Sequence, residues 1–268
     1  MRFPTLFISH GGGPWPWMQD ARHGAYAQLA AALRRLPEEV GARPQAVLMV
    51  SAHWEEPVVT VQSNPAPGMI YDYGGFPDYT YTIRYPAPGA PRLAARVQAL
   101  LRASGIPVAE DKQRGFDHGM YAPMAVAYPQ ADMPTLQLSL RHGLDPQQHL
   151  ALGRALAPLR DEGVLIIGSG LSYHNLRAFG PAGRAASAAF DQWLDRSLAQ
   201  NGTARSAALV AWQSAPSARQ AHPREEHLLP LMVAVGAAEH EAAIRDYHED
   251  DFFGALAVSN WRFGEPAR

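Results

Sequence analysis

The feature that most constrains this chain is an alternation. Short aliphatic runs at Thr5–Ser9, Ala46–Ser51, Val58–Gln62, Thr135–Leu140 and Val164–Gly168 are separated by longer stretches of helical periodicity. The runs are bounded by Pro, Gly or polar turns, as buried strands are. Between them, Ala21–Leu36, Pro91–Ala103, Pro146–Leu159 and Ala185–Ala199 read as helices, and a last helix is expected near Arg224–Val235. Pro91 and Pro146 stand where a first helical turn tolerates proline, and Asp145 is placed to cap. Strands that alternate with helices predict an α/β fold: a single domain over residues 1–268, with a central twisted, largely parallel or mixed sheet and helices on both faces. A chain of 268 residues is long enough to bury a full core without covalent staples.

Two stretches interrupt the pattern. Residues 64–89 hold five prolines and three further glycines before Gly89, and a connection that long inside a compact domain is usually functional. Residues 213–223 form a second loop before the last helix.

The composition removes several classes of function. Formal net charge is −2, so no basic face is available for nucleic acid or an anionic membrane. There is no cysteine, which excludes disulfides, thiolate metal sites and thiol nucleophiles. Any transition metal must therefore be held by imidazole and carboxylate. No run of 18 apolar residues occurs, and the N-terminus lacks a charged leader followed by an apolar stretch. The expectation is a soluble, cytoplasmic protein; nothing in the sequence reports its oligomeric state.

The 11 histidines are informative by position. His10 follows the first strand and opens Gly11-Gly12-Gly13-Pro14. His53 follows the second in Ser51-Ala52-His53-Trp54, and His174 follows the Val164–Gly168 run in Ser172-Tyr173-His174-Asn175. In an open α/β sheet, ligands collect outside the carboxyl ends of the strands, so these imidazoles converge on one edge. His118 lies in Gly115-Phe116-Asp117-His118-Gly119, read as a tight loop. His227 lies in Glu225-Glu226-His227-Leu228, read as the first two turns of the last helix. Two or three histidines with an open position make a catalytic rather than a structural metal site. A lone histidine after a strand is more often a hydrogen-bonded residue than a ligand, and the shared placement is what raises these above that reading. His23, His142, His149, His240 and His248 lack the context and read as solvated or satisfied; His222 stays unassigned. Trp15, Trp17, Tyr71, Tyr73, Phe76 and Tyr79 either pack a loop or line an aromatic pocket.

The runs Phe7-Ile8-Ser9-His10-Gly11, Ser51-Ala52-His53-Trp54, Asp72-Tyr73-Gly74-Gly75-Phe76-Pro77 and Tyr85-Pro86-Ala87-Pro88-Gly89 carry a resemblance. So do Gly115-Phe116-Asp117-His118-Gly119, Ser169-Gly170 with His174-Asn175-Leu176, and Glu226-His227 with Leu229-Pro230-Leu231. In this order the chain resembles the class III extradiol ring-cleavage dioxygenases, in the 4,5-DOPA dioxygenase-like branch. The resemblance implies a mononuclear non-haem Fe(II) site with His10, His53 and His227 as ligands, His227 standing where the wider superfamily has a glutamate. It implies His174 as catalytic base and possible additional ligand, and His118 as a catalytic pocket histidine. Glu226, adjacent to the ligand position, is either a carboxylate donor or an ordinary helix N-terminal acid, and Trp15, Tyr73 and Phe76 are the candidate substrate contacts. The first loop departs from relatives in an extra glycine and two tryptophans, which would reshape the pocket rim.

The implied reaction inserts O2 into a catechol to give a muconic semialdehyde, a step in the catabolism of aromatic compounds. A divalent ion held by neutral imidazoles keeps its full charge and favours a bound catecholate. An imidazole titrating near neutral pH can take the catechol proton and return it. Two alternatives stand beside this: a zinc-dependent hydrolase, since Zn(II) also takes three histidines and a water, and a non-catalytic catechol-binding protein. Arg84, Arg177 and Arg224 are candidate partners for a substrate carboxylate.

Overall fold

The structure is a computed structural model that describes residues 1–18 and 24–268. Eight strands form one mixed sheet in the order β4-β3-β5-β2-β6-β1-β8-β7. They are β1 (Thr5–Ser9), β2 (Ala46–Glu56), β3 (Val59–Gln62), β4 (Val108–Asp111), β5 (Thr135–Arg141), β6 (Val164–Gly170), β7 (Ala243–Phe252) and β8 (Leu256–Phe263). The centre is parallel: β2 pairs with β5 and β6, and β6 pairs with β1. β1 and β6 are buried along their whole length, which is why they read as unbroken aliphatic runs rather than alternating ones.

Helices cover both faces of this centre, and β6 shows it residue by residue. Successive strand residues point to opposite faces. Gly168 lies under Pro230 of the Leu229–Ala237 helix, where a Cβ would strike the Pro230 carbonyl. Its neighbour Ser169 donates its hydroxyl to the Gly119 carbonyl of the His118–Ala127 helix. The Leu229–Ala237 helix is buried on every side, so its sequence shows no amphipathic stripe.

Several elements differ from the sequence reading. The last long helix spans Leu229–Ala237 rather than Arg224–Val235, with Pro230 in its first turn. His227 therefore precedes the helix instead of lying in it. His118 opens a helix and is not part of a loop; its two flanking glycines suggested a turn, but Gly119 is demanded by packing, because a Cβ there would collide with Ser51 Oγ. β2 continues five residues past Ser51, and its register against β5 shifts between Val50 and Glu55. His53 sits in that irregular stretch, where extra residues re-aim a side chain. The start expected at Ala21 lies outside the described residues; the helix runs Ala27–Val40, with Tyr26 at its N-cap position. His23 also lies outside them. The charged strand β4 and the β7–β8 hairpin, whose first strand reads AIRDYHEDDF, were not anticipated, because β4 and β7 carry no aliphatic run.

Candidate metal centre

Three backbone arrangements bring distant imidazoles together. His10 leaves β1 with its amide donating to the Gly170 carbonyl (3.2 Å), and Gly11 then turns the chain at φ +77°. The Trp15 indole N–H donates to the His10 carbonyl (2.7 Å) and fixes that turn. His53 is held in the β2 irregularity by its amide hydrogen bond to Ser51 Oγ (3.1 Å), and Ser51 Oγ donates to buried Asp117 (2.7 Å). His227 accepts at its carbonyl from the Leu171 amide (3.1 Å), an approach possible because Gly170 has no Cβ to strike that carbonyl.

The outcome is a compact trio. One ligand atom each from His10, His53 and His227 lies within 4.8 Å of the others, and the Nε2 atoms of His10 and His53 are 3.3 Å apart. Nitrogens bound to one ion at about 2.0–2.1 Å stand roughly 3 Å apart, so the pair has the spacing of shared coordination. His227 Nε2 is buried without a partner, while its Nδ1 faces Glu226 Oε1 at 2.9 Å. A carboxylate on one ring nitrogen fixes the tautomer and leaves the other nitrogen's lone pair for a cation. The residues present thus fit a metal ion.

Electrostatics agree. Burial, with repulsion from His53, His118 and His174, holds His10 well below the ordinary imidazole value. Burial and the same kind of crowding lower His227 well below it too. Burial and His118 bring His53 down to about 4. Neutral imidazoles in a water-poor cluster are the form that binds a metal.

On each side of the trio stands a further carboxylate–histidine pair. Asp72 Oδ1 is 2.9 Å from His118 Nδ1, and Oδ2 is 3.4 Å from His53 Nδ1. Burial pushes the Asp72 carboxyl up, but its hydrogen bonds and charge interactions with His118 and His53 outweigh that and leave it lowered. On the other side, His174 stacks on His227 with ring centres 3.4 Å apart, and its Nδ1 lies 3.3 Å from Glu226 Oε1. For Glu226, too, burial acts upward and is overcome, here by the hydrogen bond to His174, so the carboxyl is lowered.

All five histidines and Asp72 line one cavity of about 380 Å³, the size of a small-molecule site. Trp15 and Phe76 line it as well. Tyr73 is not among the lining residues: its hydroxyl donates to the Thr80 carbonyl (2.7 Å) and its ring centre is 6.0 Å from that of His118. None of Arg84, Arg177 and Arg224 lines the cavity, and Arg224 is engaged by Glu55 and Glu226. His149 is satisfied away from the cluster, its Nδ1 facing the Asp145 carbonyl and its Nε2 the Arg141 amide. Buried His222 pairs with the Ser172 carbonyl at 3.0 Å.

Sequence reasoning missed Asp72 as a partner of the imidazoles, although the residue stands in a motif it quoted; an acid inside an otherwise aromatic loop was the available signal. It also missed Tyr26, Phe179, Phe252 and Phe253, which complete the cavity wall. The long loop places Asp72 because Gly68 and Ile70 bond to Phe116 just before His118.

Known proteins share this arrangement of sequence. The family profile described as the catalytic LigB subunit of aromatic ring-opening dioxygenase matches residues 4–258. A 4,5-DOPA dioxygenase extradiol of Beta vulgaris is 39% identical, covering 97% of this chain and 96% of its own. The protein of that name from Escherichia coli K12 is 34% identical over 98% and 95%, and the dioxygenase tasH of Hapsidospora irregularis 36% identical over 94% and 82%. A crystal structure of an uncharacterized Escherichia coli K12 protein superposes with a TM-score of 0.80 at 31% identity, covering 98% of this chain and all of that one. With a profile match over almost the whole length, this chain belongs to the LigB family of aromatic ring-opening dioxygenases.

Proposed function

We propose that the 268 residues form a single catalytic domain that acts as a non-haem Fe(II)-dependent extradiol dioxygenase. It would insert both atoms of O2 into a catechol beside its diol and release a ring-opened muconic semialdehyde. The observation that carries this is the trio His10, His53 and His227, with ligand atoms within 4.8 Å, opening onto a cavity of aromatic character. A ferrous ion held by these three imidazoles would supply the positive charge that favours a catecholate and a path for electrons from the catecholate to O2.

The remaining steps belong to the chain. His174, its Nδ1 turned to Glu226, presents Nε2 as the base for the catechol proton, and Glu226 steadies the resulting imidazolium. His118, its Nδ1 turned to Asp72, is placed to hydrogen-bond substrate or oxygen. Trp15 holds the His10 turn while its ring and that of Phe76 exclude water. The reaction is assigned to the cytoplasm; among the described residues no helix is long and apolar enough to cross a membrane.

The test is anaerobic ferrous reconstitution followed by a catechol panel in oxygenated buffer. Oxygen loss matched by yellow semialdehyde absorbance is the expected result. Ester or peptide hydrolysis under zinc loading without oxygen uptake would replace this reading with a zinc hydrolase. Tight catechol binding without oxygen consumption would leave a binding protein.

A further inference from the structure

The cavity has two kinds of lining. One part is the histidines and Asp72; much of the rest is apolar, and it includes Tyr26, Leu176, Phe179, Phe252 and Phe253. The rings form a continuous wall: Tyr26 to Phe253 5.1 Å, Phe253 to Phe179 5.1 Å and Phe252 to Phe179 6.0 Å between centres. Among the described lining residues there is no arginine or lysine. Phe252 ends the first strand of the β7–β8 hairpin and Phe253 opens its turn.

Two details separate this wall from ordinary core. Phe253 holds a left-handed backbone at φ +51°, which a bulky residue adopts only when its surroundings impose it. Gly254 follows at φ +75°, so the turn's glycine is one position late and the strained site is given to an aromatic ring that faces the cavity. Leu176, between His174 and Phe179, is 71% exposed and still lines the cavity, an apolar side chain kept at its margin.

We propose that this wall is a subsite for the ring substituent of the substrate. It selects catechols bearing an uncharged apolar or aryl group over those bearing a carboxylate, with Phe253 and Phe179 setting the preference. The inference rests on the reading of the imidazole cluster as a catechol site. An apolar substituent gains by leaving water against these rings. A carboxylate entering the same space loses hydration and finds no cation among the described residues.

Zinc-loaded protein, which binds without turnover, is titrated calorimetrically with 4-phenylcatechol, catechol and L-DOPA. 4-Phenylcatechol is expected to bind at least about tenfold tighter than L-DOPA, the scale of burying one ring. Phe253→Gly removes the ring while glycine accepts the left-handed backbone, so the preference should collapse in a protein that still folds. Phe179→Ala reads the same ratio should that variant fail to fold. Tightest binding of L-DOPA, or an unchanged ratio in the folded variant, overturns the proposal. The ferrous protein separates the two readings: preference for 4-phenylcatechol without oxygen uptake from any catechol defeats the dioxygenase and keeps the subsite, whereas oxygen uptake with a preference for charged catechols does the reverse.

Discussion

The two flanks of the imidazole trio are built alike and supported differently. In each, one carboxylate bridges a trio member and an outer histidine: Asp72 between His53 and His118, Glu226 between His227 and His174. The His118 flank rests on regular structure. His118 opens a helix, and the preceding Asp117 is fully buried among Ser51 (2.7 Å), Gln137 (2.7 Å) and Arg114 (2.9 Å). The His174 flank rests on irregular chain, anchored by the His174 amide on the Ala221 carbonyl (3.0 Å) and by stacking on His227. A side chain locked by packed elements suits a fixed hydrogen bond, while one on a looser segment suits a group that must carry a proton and give it back.

The largest expected effect tests what the flanks share. His10→Ala, His53→Ala or His227→Ala should each abolish ferrous binding, measured by metal analysis, and reduce turnover to background. Retention of full metal by any of them would remove that residue from the trio and with it the symmetry of the flanks. Next comes the outer pair. His174→Gln should keep its metal and lose on the order of 10²–10⁴ in kcat, as general bases do, whereas His118→Gln should lose only about tenfold. Metal loss in His174→Gln equal to that in His10→Ala would move His174 onto the ion; equal kcat losses in the two outer variants would erase the functional distinction.

The bridging carboxylates follow. Glu226→Gln and Asp72→Asn should weaken metal affinity by about 10–100-fold, measured by competition with a chelator. Glu226→Gln should also lower kcat, because the same oxygen serves His174. The smallest effect concerns acid. Burial lowers His222, which backs the His174 segment, to about 3. Below the ordinary value of about 6.5 the unfolded chain takes up a proton that the folded chain refuses, so stability falls as pH drops from about 6.5 towards 3 and is flat above. This one group contributes a slope of about 1.4 kcal/mol per pH unit in that window. His222→Asn should reduce the pH slope of the urea-unfolding free energy there by about that amount, the other buried histidines keeping theirs; an unchanged slope would deny the His174 flank its acid-sensitive support.

Much of the fold was legible. The β1 run and the Pro91–Ala103 helix coincide with their sequence readings, and β2, β5 and β6 begin where expected. These elements are buried by their own apolar residues or marked by a proline, so local pattern and tertiary role agree. The β7–β8 hairpin was not legible. β7 is an edge strand with charges facing water, and its period is broken by register shifts against β8. That hairpin supplies Phe252 and Phe253, so two rings of the cavity wall were hidden with it.

The sequence by itself determined which chemistry is open to this protein: without cysteine, a metal must be bound through imidazole and carboxylate, and histidines after parallel strands must arrive at one edge. Tertiary structure alone decided which histidines meet and what faces them. A register shift in β2 aims His53, glycines without Cβ let His227 and His118 approach, and a long loop brings Asp72 to His118. Those placements depend on contacts between residues tens to hundreds of positions apart, whose energies no local pattern encodes.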